Sequence, residues 1–187
     1  ESFTIDNSED EFKIKFKFTV PNLVTYEPEI KLLKKDINGN INEKVLENCK
    51  NAVFHIGLIE LISYWKATCS PNVIIRAGYI NEEQINWFKK LYFYGLGELF
   101  FTNGIHTYID NFMTIKCESN EVYEDYINES NNGYLIPIGG GKDSCVTLEC
   151  LKNQKDNYCL IVNPKPVTLD CASAAGYGNE KPFPMVK

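Results

Sequence analysis

The sequence predicts an α/β protein. An N-terminal α+β region spans residues 1–117, a connector 118–132, and the beginning of a parallel-sheet domain 133–187. Three observations carry this reading. Phe12, Ile14, Phe16 and Phe18 alternate with Lys13, Lys15 and Lys17, the period of a strand with one packed and one wet face. Ala52, His55, Ile56, Ile59, Leu61 and Ile62 recur as a broad apolar helix face. The stretch from Tyr134 to Leu151 reads as apolar strand, triple-glycine turn and amphipathic helix, and Leu160–Val162 follows as a second strand. Strand, helix and strand at that spacing form a βαβ unit, which implies a parallel pair.

In chain order, Phe3 and Ile5 are expected to pair with the first alternating strand across the Asp6–Asp10 region, and Pro21 ends that strand. Ile30–Leu33 is expected as a third strand, with Asn38-Gly39 closing a hairpin toward Ile41. Glu47–Ala67 is helical, stopped by Ser70-Pro71, and Val73–Ile75 is a short strand. Asn81 caps the next helix, with Glu82 and Glu83 in its first turn, and the helix runs through Trp87, Phe88, Leu91 and Tyr92 toward Gly95. Strands are expected to start at Phe100-Phe101 and to cover Tyr108–Ile115, where aromatic and β-branched residues concentrate. Glu118–Asn132 is polar, acidic and asparagine-rich, as a surface connector is. A sheet of two strands cannot bury both faces. The tail at Ala172–Lys187 is small-residue and does not read as a finishing helix, so the chain is expected to be truncated or completed elsewhere.

Composition narrows the classes. At 187 residues with 44% apolar and 13% aromatic side chains, the chain has material for a proper core. A net charge of −6 argues against a duplex nucleic-acid partner, which calls for a basic face. No unbroken apolar window is long enough to span a membrane. No signal peptide is visible, although the chain opens on Glu1 rather than methionine. The seven cysteines, 49, 69, 117, 145, 150, 159 and 171, are odd in number and show no Cys-x-x-Cys pair. Free thiols in a reducing cytoplasm are the expected state. Arg76 is the single arginine, so either lysines and backbone amides meet a substrate's phosphates and carboxylates or the chain lacks part of such a site.

Gly139, Gly140 and Gly141 carry no Cβ, so their backbone amides can approach a ligand closely. A helix starting at that turn points orphan N–H groups and a positive dipole end at it, which suits an anion, most often phosphate. The loop is not Walker A: Asp143 follows Lys142, and Ile136 stands where the first glycine belongs. It is not Gly-x-Gly-x-x-Gly either, because Ser144 occupies the third glycine position.

Gly140-Gly141-Lys142-Asp143-Ser144 resembles the Ser-Gly-Gly-x-Asp-Ser signature of PP-loop ATP pyrophosphatases, with Gly139 in place of the first serine. The segments Gly57–Pro71, Gly95–Asn103 and Ile136–Ser144, in that order, resemble bacterial UDP-N-acetylmuramoyl-L-alanyl-L-glutamate epimerases. In that family the triple-glycine form is usual. The resemblance covers about Ala52 to Gly176. It implies an adenine nucleotide alpha hydrolase-like, PP-loop domain with ATP and Mg²⁺ as cofactors and a small-molecule UDP-muramoyl dipeptide as substrate. The implied reaction is epimerisation of the terminal L-Glu to D-Glu through carboxylate adenylation, releasing AMP and pyrophosphate. Cytoplasmic peptidoglycan-precursor synthesis is the implied setting, with no nucleic-acid or membrane partner. The alternatives are another PP-loop adenylating enzyme (an amidating ligase or a tRNA-modifying enzyme), a non-catalytic nucleotide-binding fragment, or an inert structural one.

The resemblance places Gly139, Gly140, Gly141, Lys142, Asp143, Ser144 and Asn163 at the nucleotide, with Asp143 on Mg²⁺. Capping explains one polar residue at a helix start but not three preceding glycines. Lys142 also reads as an exposed lysine, and Asn163 also reads as the opening of a turn before Pro164. No residue is identified as the epimerisation base; Glu60, Glu98 and His106 are the candidates. Glu60 lies in an apolar helix face, where a carboxylate is costly unless paired or used, and Lys66 is a candidate partner. Glu98 also reads as a buried ion-pair member, with Asn103 in the same stretch. His55 reads as a satisfied core histidine. Cys69 lies at a helix C-terminus, which does not activate a thiol.

Overall fold

A computed structural model describes residues 1–34, 42–126, 133–154 and 156–177, and the backbone of 185–186. The chain is mixed α/β with parallel and antiparallel strand pairs. It divides into two units, the first formed by Glu1–Thr4, Lys15–Pro28 and Asn42–Tyr126, the second by Ile5–Ile14, Glu29–Ile41 and Ile127–Lys187. The expected Asn38-Gly39 hairpin with Ile41 lies outside the described residues.

The opening strands are β1 (Ser2–Asn7), β2 (Glu11–Val20), β3 (Val24–Tyr26) and β4 (Glu29–Leu33). In β2 the alternation is realised, with Phe12, Ile14 and Phe16 buried. Ser8 closes the turn before it, its amide donating to the Glu11 carbonyl at 3.1 Å. Pro21 follows the last strand residue, and β3 returns antiparallel on β2 with Phe18 opposite Tyr26.

In the first unit, helix α1 (Glu43–Trp65) starts at Asn42, whose side chain accepts the Val45 amide at 3.0 Å. Its buried face is Val53, Phe54, Gly57, Leu58 and Trp65. Of the expected face, Leu61 and Ile62 pack against the core and His55 is half-buried, whereas Ala52, Ile56 and Ile59 are exposed, Ile59 at 51%. This helix is apolar around much of its circumference, so periodicity alone does not choose the packed side. Gly57 does choose it: a Cβ there would come within 2.8 Å of the Phe16 ring, so α1 presses its backbone against that ring.

Strand β5 (Asn72–Ile75) leads into α2 (Glu82–Gly95), which opens with a full capping box: Asn81 accepts from Gln84 N–H at 2.9 Å, and Gln84 accepts from Asn81 N–H at 3.0 Å. Phe88 and Tyr92 are buried, and Trp87 and Leu91 are exposed. Phe100 and Phe101 do not start a strand; they belong to a short helix α3 (Gly97–Thr102). Tyr108–Ile115 is not one strand either. Residues 108–113 are turn and loop, and β6 (Thr114–Cys117) pairs parallel with β5. Aromatic density misled here because Phe100, Phe112 and Phe93 are rings of a helical core, packed edge-on and tilted within 6.2 Å. Residues 118–126 lie on this unit: the Glu121 carbonyl accepts the Tyr79 amide at 2.7 Å, and the Tyr123 hydroxyl donates to the Ala77 carbonyl at 2.6 Å.

Two tyrosines of this core tie its stability to alkaline pH. Tyr92 is buried, donates to the Leu58 carbonyl and is pushed up by desolvation. Burial, then Glu121 and Glu47, raise Tyr123 from 10.0 to about 12. A raised folded pKa means that the folded state holds its proton longer than the unfolded one. This contribution is complete below about pH 10 and is lost as pH climbs through about 12. The denaturant midpoint is expected to fall across that window, and to fall less steeply in Tyr123→Phe. An identical slope in the variant would contradict this account.

The second unit contains β7 (Leu135–Pro137), α4 (Lys142–Leu151), β8 (Tyr158–Val162), α5 (Pro166–Ala174) and β9 (Met185–Val186). Strands β7, β8 and β9 lie side by side and parallel, and β4 pairs antiparallel with β9 through Leu32 and Val186. The expected βαβ pair is thus extended by a third parallel strand and an antiparallel neighbour drawn from the start of the chain. The tail that did not read as a helix contains the end of α5, where Pro166 holds the first turn because its missing N–H costs nothing there. The core is Ile136, Ile138, Leu148, Cys159, Ile161, Ala172 and Tyr177. Leu135, in the expected apolar strand, is 62% exposed because β7 is an edge strand with one covered face.

Candidate functional site

The glycine loop lies at the carboxyl end of β7. Pairing continues one residue past the strand, with the Ile138 amide donating to the Leu160 carbonyl at 2.9 Å, and the chain then leaves the sheet. Gly139 donates its amide to Ser144 Oγ at 3.0 Å, closing the loop on itself. Ser144 is buried, so its hydroxyl holds the loop shape and does not cap the helix. Gly141 is the N-cap of α4, and no side chain caps it. The first-turn amides of α4 are therefore left without a side-chain acceptor, the condition for anion binding at a helix start.

The three glycines have different roles. Gly140 has φ +80, and a Cβ on it would lie 3.1 Å from the Val167 carbonyl carbon and 3.2 Å from the Thr168 nitrogen. Its backbone therefore rests on the first turn of α5. Gly141 has nothing within 4 Å of a built Cβ, and Gly139 has only Ser144 Oγ at 4.0 Å. Folding demands glycine at 140 alone; at 139 and 141 the missing side chains leave open space in front of the loop.

Helix α5 is the part of the site that the sequence reading missed. It begins after β8 as α4 begins after β7, so two helix starts meet at the ends of two parallel strands. Thr168 fixes its start, accepting the Lys165 amide at 3.0 Å and donating to the Lys165 carbonyl at 2.7 Å. The available signal was Pro166 followed by Thr168 at the third helical position. Asn163 stands at the end of β8, exposed and with φ +50, a conformation that asparagine tolerates better than most residues. Lys142 and Asp143 are exposed in the first turn of α4, and the Asp143 side chain has no ion pair among the described residues.

Glu60, Glu98 and His106 all lie in the first unit, on α1, on α3 and in the stretch after Gly104. No hydrogen bond or ion pair among the described residues joins them. Glu98 is exposed, so the reading as a buried ion-pair member is corrected; its carbonyl accepts from the Thr102 hydroxyl at 2.8 Å. Asn103 is occupied locally, donating to the Leu99 carbonyl at 2.8 Å. Glu60 is half-buried and, after desolvation, is the second cause that raises the Tyr64 hydroxyl. Among the described residues no ion pair links it to Lys66. His55 is satisfied as expected, its Nδ1 at 2.8 Å from the Asn51 carbonyl and its Nε2 at 3.4 Å from Gln84 Nε2. Arg76 is engaged structurally, bridging Glu1 and Glu118 at 3.0 Å each.

The first unit also holds a cavity of about 140 Å³ bounded by Phe16, Phe18, Tyr26, Leu58, Tyr64 and Thr68. Thr68 Oγ1 is buried there with no partner among the described residues. No cluster of three or more His, Cys, Asp or Glu side chains able to hold a metal occurs among the described residues. No described helix is long and apolar enough to cross a membrane.

Fold and loop together define a mixed α/β chain whose second unit gathers two helix starts around a glycine turn at the ends of parallel strands. Residues 1–180 match the family model of the MurL N-terminal domain, and the chain belongs to that family. It is 30% identical over 96 residues to the UDP-N-acetyl-alpha-D-muramoyl-L-alanyl-L-glutamate epimerase of Xanthomonas oryzae pv. oryzae (strain MAFF 311018). That match covers 51% of this chain and 21% of the relative. The chain thus spans about a fifth of the relative's length. No solved structure matches the chain.

Proposed function

We propose that this chain carries the phosphate-gripping loop of an ATP-consuming epimerase that inverts the terminal L-Glu of UDP-MurNAc-L-Ala-L-Glu in peptidoglycan-precursor synthesis. The observation that carries the proposal is the Gly139–Ser144 turn: uncapped amides at the start of α4, space in front of Gly139 and Gly141, and Gly140 seated on α5. On this reading residues 133–187 are the beginning of a PP-loop ATP-binding domain.

The chemistry supplies a reason for ATP. Removing an α-proton beside a carboxylate would build a dianion. Joining AMP to that carboxylate neutralises it and makes the α-carbon acidic. A base then takes the proton, the opposite face is reprotonated, and hydrolysis frees the product. The part assigned to this chain is to hold the leaving diphosphate. The Gly140, Gly141 and Lys142 amides would hold its oxygens, and the Lys142 side chain would add a point charge. Mg²⁺ is commonly held by one or two carboxylates together with substrate phosphates, and the exposed Asp143 would supply one such carboxylate. Asn163, at the neighbouring strand end, is the candidate for the nucleoside.

The test uses the complete gene product with ATP, Mg²⁺ and the UDP-muramoyl dipeptide, followed by chiral analysis of the glutamate and assay of AMP and pyrophosphate. D-glutamate formed together with AMP supports the proposal. AMP formed only when an amine acceptor is added would favour an amidating ligase instead. Epimerisation without AMP would remove the loop from the chemistry.

A further inference from the structure

We propose that Cys145 and Cys171 are a redox-modification site, a dithiol that a low-molecular-weight disulfide of the glutathione class converts reversibly to a disulfide. The two sulfurs lie 3.5 Å apart, one in the first turn of α4 and the other on α5. None of the seven cysteines is in a disulfide, and Cys145 and Cys171 bring their sulfurs into contact. A disulfide needs about 2.05 Å between sulfurs, so closing the bond takes an approach of about 1.5 Å.

Accessibility sets the order of events. Cys145 is exposed and meets the reagent first, whereas Cys171 is half-buried. Burial, together with the hydrogen bond to Cys145, also raises the Cys171 thiol, so it keeps its proton longer. Cys145 releases its proton to solvent, and its sulfur attacks one sulfur of oxidised glutathione, expelling one glutathione thiolate and leaving a mixed disulfide. Cys171 then loses its proton and attacks the Cys145 sulfur, expelling the second glutathione. Two protein thiols are oxidised and one glutathione disulfide is reduced to two thiols; excess thiol runs the sequence backward. The bond would tie the helix that starts at the glycine loop to the helix on which Gly140 rests. The inference rests on the sulfur geometry and does not require the loop to bind nucleotide.

The test is to treat the native, complete gene product with oxidised glutathione, block remaining thiols, and map the cysteines by proteolysis and mass spectrometry. A Cys145–Cys171 linked peptide is expected as the main product at these positions, while the exposed Cys49, Cys69 and Cys150 carry glutathione without internal bonds. In Cys171→Ser, glutathione is expected to remain on Cys145, and dithiothreitol is expected to restore the free thiols in both proteins. Glutathione left unresolved on wild-type Cys145, or a Cys145 that neither reacts nor links to Cys171, would overturn the proposal.

Discussion

Asp143→Ala in the complete gene product is expected to lower ATP-dependent formation of AMP and pyrophosphate by about 100-fold or more, equivalent to about 2.7 kcal/mol of transition-state stabilisation. The fold is expected to survive. Asp143 is exposed and its side chain has no ion pair among the described residues, so the one structural contribution to lose is its charge near the start of α4. That contribution is about 0.3–1 kcal/mol. The two roles of this carboxylate therefore separate by size: a helix-end charge costs little stability and no turnover, whereas a phosphate-side magnesium ligand costs turnover out of proportion. Asp143→Asn sharpens the contrast, because it keeps a polar oxygen at the helix start and removes only the charge. Turnover retained in both variants would mean that Asp143 serves the helix alone.

The paired variants Gly140→Ala and Gly141→Ala are expected to fail in opposite ways. At Gly140 a side chain meets a left-handed φ of +80 and the backbone of Val167 and Thr168 together. The conformation alone costs about 1–2 kcal/mol, and the contact displaces the start of α5, so a loss of about 2 kcal/mol or more in unfolding free energy is expected. At Gly141 nothing lies within 4 Å of the added carbon and the φ is −96, so stability is expected to stay within about 0.5 kcal/mol. Its methyl group would occupy the space in front of the amides, and affinity for ATP is expected to fall. Denaturant unfolding and equilibrium nucleotide binding on the same two proteins measure both effects. A Gly141→Ala protein that binds ATP as the wild type does would leave the open space without a purpose.

The elements read correctly from the sequence were those whose cause is local. The β2 alternation follows from Phe12, Ile14 and Phe16 facing one side, and the α2 start was read from Asn81 with Glu82 and Glu83 in the first turn. The glycine turn between strand and helix was also legible, because three residues without side chains at a strand end have few other uses. What escaped depended on distant partners. The third parallel strand is only two residues, Met185–Val186, and the pairing of Leu32 with Val186 joins opposite ends of the sequence, so no local period announces either. The buried side of α1 is set by the close approach of Gly57 to Phe16, not by which residues are apolar. The strand expected at Phe100-Phe101 failed because intrinsic preference yields to packing: short α3 places Phe100 against Phe93 and Phe112. Helix α5 was hidden by its small side chains, although Pro166 marked its first turn.

Selective ¹⁵N-glycine labelling of the complete gene product, followed by titration with magnesium pyrophosphate, addresses the loop itself. The account expects the amides of Gly140 and Gly141 to shift in a saturable manner, while Gly57 and Gly104 in the other unit stay put. Saturable shifts that spare both loop glycines, or a titration that moves no glycine amide at all, would contradict it.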